Sequence, residues 1–114
     1  MSAPAPGAAI DQVALLEVFL IEANECLREM RQALREMQAP ADRGRELERV
    51  YRCVRVIAGN APSLGLDGPA LLAHAVQGVL LDVRARSLPL SDTLLATLSG
   101  SVTRLRDMLP PIPH

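Results

Sequence analysis

The sequence predicts an all-α fold, an antiparallel up-down bundle of four helices, and three observations lead there. Hydrophobic residues make up 49% of the 114 positions and aromatics only 2%. The apolar content is therefore Leu, Val, Ala and Met, a mixture that favours helix over sheet. Four segments carry apolar residues at helical spacing. Pro40, Pro62 and Pro110 mark where three of those segments stop. No internal repeat and no strand candidate is visible.

The first helix is expected from about Asp11, as N-cap, to Gln38. Leu15, Leu16, Phe19, Leu20, Ala23, Cys26, Leu27, Met30, Ala33, Leu34 and Met37 fall in one broad stripe at about 100° per residue. The opposite face carries Glu22, Glu25, Arg28, Glu29, Arg31, Gln32 and Arg35 and reads as solvated, with Glu25–Glu29 and Arg31–Arg35 mildly unfavourable. At about 1.5 Å per residue this helix reaches about 40 Å, long enough to overhang the others or bend.

The second helix should begin near Ala41–Asp42 and bury Leu47, Val50, Tyr51, Val54, Ile57, Ala58 and Ala61. Pro62 has no N–H for the carbonyl of Ala58, so the helix kinks or ends there, and Gly65 permits a tight turn. Asp67 then reads as the N-cap of a third helix with Pro69 in its first turn. That helix buries Leu72, Val76, Val79, Leu80 and Val83 and ends around Arg86–Ser87. Ser91 caps the fourth, whose inward residues are Leu94, Leu95, Leu98, Val102, Leu105 and Leu109. The expected organisation is a disordered segment 1–9, one bundle over 10–109 and a tail 110–114.

Several function classes lose support at this stage. The net charge is −1 and the pI about 6.1, so no global field selects nucleic acid or an anionic membrane. No stretch reaches the roughly 18 unbroken apolar residues of a membrane span. The opening MSAPAPGAA has no basic region ahead of an apolar one, so it is not a secretory signal, and a cytoplasmic protein is expected. Cys26 and Cys53 have no metal-type spacing and read as reduced core or boundary thiols rather than a disulfide or metal pair. Met30, Met37 and Met108 read as core or end fillers. There is no Gly-rich phosphate loop, no nucleophile–base pair and no ligand cluster. Neither an enzyme nor a bound cofactor or metal is expected.

The most informative stretch is Val50–Leu66, VYRCVRVIAGNAPSLGL. It resembles the signature of histidine phosphotransfer (HPt) domains, roughly F-R-x-A-H-S-x-K-G-x-A-x-x-x-G. Tyr51-Arg52 matches the aromatic-Arg pair, and Ile57, Gly59, Ala61, Gly65 and Leu66 fall on the family's apolar and small positions. Upstream, Phe19-Leu-Ile-Glu22-Ala23-Asn-Glu25-Cys-Leu27 is similar to the F-x-x-E-A-x-E-x-L opening of chemotaxis-kinase HPt domains. Downstream, His74-Ala-Val76-Gln77 sits where the family commonly has H-x-[LM]-E. The resemblance implies an HPt-like bundle with a long first helix.

It also implies a degenerate site. Arg55 stands at the phosphoacceptor histidine, Ala58 at the lysine that assists phosphate, and Gln77 at the glutamate that hydrogen-bonds the histidine. A phosphoacceptor needs a neutral imidazole lone pair. A guanidinium stays protonated and offers only donors. Relative to the core direction of its helix, Arg55 projects about 100° away, on the flank of Glu48, Arg52 and Gly59, while Val56 points almost directly outward.

The function expected on this basis is a phosphotransfer-incompetent HPt-like module. It would dock a response-regulator receiver domain, or a chemotaxis-type histidine kinase or scaffold, through Arg52, Arg55, Val56 and Gly59. The basic band Arg45, Arg49, Arg52 and Arg55 would steer an acidic partner, or be merely solvated. Two alternatives stay open: an active carrier using His74, otherwise expected to be hydrogen-bonded between the second and third helices, and a structural module that self-associates through Val56, Leu81 and Leu88.

Overall fold

The structure, a computed structural model, describes residues 6–37 and 43–112. The apolar stripes become four helices: α1 (Pro6–Glu36), α2 (Arg43–Asn60), α3 (Asp67–Arg84) and α4 (Asp92–Met108), with a short 3-10 turn at Pro62–Leu64. There is no strand among the described residues. Each helix packs on the next, and α4 closes back on α1. Neighbours run antiparallel, as the side-chain pairs show. Arg49 of α2 meets Glu29 and Glu36 of α1, while Leu64, past the end of α2, lies beside Leu15 and Phe19 near the other end of α1.

The inner faces make one apolar core. α1 contributes Phe19, Leu20, Ala23, Leu27, Met30, Ala33 and Leu34, with Met37 just beyond it. Val50, Val54, Ile57 and Ala58 come from α2, Ala70, Ala73, Val76 and Leu80 from α3, and Leu95, Leu98, Val102 and Leu105 from α4. No charged or polar side chain is buried among the described residues. The small residues Ala70 and Ala73, together with the buried Pro69, were not anticipated as core. A small side chain gives a weak apolar signal, although it lets two helix backbones approach closely.

The helix ends differ from expectation in three places. α1 begins at Pro6 rather than at an Asp11 cap. Proline is favoured in a first turn, where its missing N–H has no helical partner in any case. The expected boundary positions Gln38, Ala41 and Asp42 lie outside the described residues. The cap position of α3 is Leu66, without a side-chain bond. Asp67 is instead the first helical residue, with its carboxylate at the positive end of the helix dipole. α3 also stops two residues early, at Arg84, and Arg86 takes a positive φ of 63°. Ser91 caps α4 as expected, its Oγ accepting from the Leu94 N–H at 3.1 Å.

Leu15 was expected inside and is 60% exposed; Val13, Val18 and Ile21 are exposed with it. α1 has 31 residues against 17 or 18 in the others. At 1.5 Å per residue it is about 46 Å long beside helices of about 27 Å. Its first turns therefore outrun any helix that might cover them, and the molecule measures 57 × 27 × 20 Å.

Gly65 closes the 3-10 turn at φ 73°, donating its N–H to the Pro62 carbonyl at 3.1 Å. A Cβ there would touch nothing within 4 Å, so only the left-handed backbone would object. Gly65→Ala is expected to cost about 1–2 kcal/mol in urea unfolding. No measurable loss would show that the turn relaxes to another conformation.

Candidate functional site

The site is built by the core face of α2. With Val50, Val54 and Ile57 buried, the helical period turns Arg52, Arg55 and Gly59 to solvent, and all three are exposed. Residue 55 thus stands outside the apolar interior, on the flank expected for it.

Charge pairing decides which arginines are available. Arg49 reaches across to α1, with Nε 2.8 Å from Glu29 and Nη1 on Glu36. The bonds to Glu29 and then Glu36 raise the Arg49 pKa, while bonds from Gln32 and then Arg49 lower that of Glu36. Glu29 therefore has an opposite charge to offset its like-charged neighbour on α1. Glu48, the acidic residue on the flank of Arg55, is held instead by Arg84 of α3, whose Nε lies 2.8 Å from Oε1. Arg84 also lies over the Tyr51 ring, 4.4 Å from its centroid. Arg52 and Arg55 are left with no ion pair or side-chain hydrogen bond among the described residues. The expected basic band therefore splits, with Arg49 tying α1 to α2 and Arg52 and Arg55 facing water.

Gly59 lies one turn past Arg55, and a Cβ on it would meet nothing within 4 Å. Its φ is not positive, so neither packing nor backbone requires glycine there. Gly78 and Gly100 are equally open; only the place of Gly59 beside Arg55 sets it apart.

Other expected positions fall less simply. Val56 is half-buried rather than pointing outward, because Cys26 and Glu29 of α1 stand across a cleft from it. Ala58 is only 2% exposed. Gln77 is half-buried. Antiparallel pairing of Glu48 with Arg84 brings Arg55 and Gln77, two turns further along their helices, to the same level. His74 is exposed and makes no hydrogen bond among the described residues, so it does not bridge α2 and α3 as expected. Leu81 is exposed and Leu88 half-buried. His114 lies outside the described residues.

Among the described residues, no group of three or more His, Cys, Asp or Glu side chains is placed to hold a metal, and no helix is long and apolar enough to cross a membrane. Cys26 and Cys53 are free, half-buried thiols that meet between α1 and α2. Sequence spacing alone did not bring them together, since they lie on different helices whose register is set by packing.

A ring of four packed helices defines the class of fold, and the chain belongs to the Hpt domain family, whose family model matches residues 14–109. The match runs from α1 to the residue after α4. Among its relatives are the proteins named Chemotaxis protein CheA of Listeria monocytogenes and Listeria innocua, each 25% identical over 100 residues. That is 88% of this chain but 16% of each relative. Chemotaxis protein CheA of Halobacterium salinarum is 27% identical over 73 residues, 64% of this chain and 11% of the relative. The chain thus corresponds to a small part of each of these proteins. No solved structure matches it.

Proposed function

We propose that this chain is an Hpt-type docking module of two-component, chemotaxis-type signalling that does not itself carry phosphate. The observation that carries the reading is Arg55, exposed and unpaired on α2 at the position where the family resemblance places the phosphoacceptor histidine. An imidazole attacks an acyl phosphate through a neutral nitrogen lone pair. The guanidinium has no such lone pair at physiological pH. Ala58 and Gln77, at the positions of the supporting lysine and glutamate, supply neither a cation for phosphate nor a carboxylate to orient a histidine.

What Arg55 retains is the capacity to dock. A guanidinium grips a carboxylate through two parallel hydrogen bonds, which suits the acidic site of a receiver domain. Arg52 adds a second exposed cation, and Gly59 leaves room for a partner backbone to approach. The partner proposed is a receiver domain of a response regulator, or the kinase or scaffold of the same system. The module would bind without catalysing a reaction.

Incubation with an active chemotaxis-type kinase and labelled ATP, or with a phosphorylated receiver domain, tests the first half of this reading. No acid-labile, base-stable label is expected on the chain. Label that persists in a His74→Ala variant, or disappears with it, would in either case show that the module carries phosphate.

A further inference from the structure

We propose that Cys26 and Cys53 form an oxidisable dithiol that closes to an intrachain disulfide between α1 and α2 on exposure to a peroxide. Three observations support this. The Arg49–Glu29 pair marks the register of the two helices, and one turn along each from that pair, in opposite chain directions, Cys26 stands across from Cys53. Their thiols are near enough for each to perturb the ionisation of the other. Both also line one surface cleft of about 250 Å³ with Glu29, Arg49, Arg52 and Val56. A peroxide, not much larger than the roughly 30 Å³ a water occupies, can enter it.

The surroundings give the two sulfurs different roles. Cys53 has its pKa lowered, first by the hydrogen bond with Cys26 and further by Arg52 and Arg49, against burial and Glu29. Cys26 is pushed upward, first by that same bond and then by burial and the charge of Cys53. Of the pair, Cys53 therefore gives up its proton more readily than Cys26, and the thiolate is the reactive form.

The chemistry balances with hydrogen peroxide as oxidant. The Cys53 thiolate attacks one peroxide oxygen, the O–O bond breaks, and hydroxide leaves and takes a proton to become water. Cys53 is then a neutral sulfenic acid. Cys26 sulfur attacks the Cys53 sulfur, the S–O bond breaks, and the departing hydroxide takes the Cys26 proton. Two sulfurs lose two electrons in all, peroxide is reduced to two waters, and one S–S bond forms.

The test treats the full chain with hydrogen peroxide, then alkylates it under denaturing conditions. Expected are a loss of the mass of two hydrogens, no alkylation, a monomer on a non-reducing gel, a peptide linking residues 26 and 53, and recovery of both thiols with a dithiol reductant. The cross-linked form should also unfold at higher urea concentration than the reduced one, since the bond restricts the unfolded chain. In Cys26→Ser the sulfenic acid on Cys53 should persist and be trapped by dimedone, whereas Cys53→Ser should react several-fold more slowly. Two alkylated thiols after treatment, an interchain dimer, or over-oxidation without the link would overturn the proposal. Equal peroxide reactivity of the two variants would overturn the assignment of Cys53 as the attacking sulfur.

Discussion

Leu98→Ala is expected to lower the stability of the bundle by about 2–5 kcal/mol. Leu98 is 2% exposed in the middle of α4, between Leu95 and Val102, and faces the core built from the other three helices. Truncation removes buried methyl groups and leaves a cavity that the close-packed helices can fill only in part. Among the described residues there is no second core to absorb the loss, because one apolar cluster takes in residues of all four helices. Chemical denaturation followed by far-UV circular dichroism measures the effect. A loss below about 1 kcal/mol would mean that α4 repacks freely and that the core is less well ordered than a native interior.

Gly59→Lys is expected to abolish docking of a receiver domain while leaving the bundle folded. A Cβ at Gly59 meets nothing, and a lysine near the C-terminal end of α2 has both better helix propensity than glycine and a favourable charge against the helix dipole. Stability should therefore be unchanged or higher by up to about 1 kcal/mol, whereas a long charged side chain beside Arg55 obstructs close approach. Arg55→Glu provides the electrostatic counterpart, with an expected loss of about 1–3 kcal/mol in binding if the guanidinium is a desolvated anchor. Isothermal titration against a receiver domain, with urea unfolding of each variant alongside, separates the two effects. Normal binding by both variants would place the docking surface elsewhere on the molecule.

Much of this was legible in the sequence because helices are local. The 3.6-residue period, read from Val50, Val54 and Ile57, was enough to turn Arg55 and Gly59 to solvent. Ser91 announced the start of α4, and Gly65 announced a turn that needs a positive φ. The period misled at Leu15, which continues the apolar stripe of α1 where no other helix reaches to cover it. It misled again at Val56, which points away from the helix's own core but lies across a cleft from α1.

The amino-acid order by itself determined that there are four helices, which stripe of each turns inward, and that Arg55 on the second faces solvent. Those properties depend on neighbours within one or two turns. Tertiary structure decided which charges are spent and which are free: Arg49 is bound to Glu29 and Glu36 of another helix, and Glu48 to Arg84, which leaves Arg55 unpaired. It also brought Cys26 to Cys53. Such pairings depend on the register between packed helices, which is set by the interdigitation of the whole core rather than by any short stretch of chain.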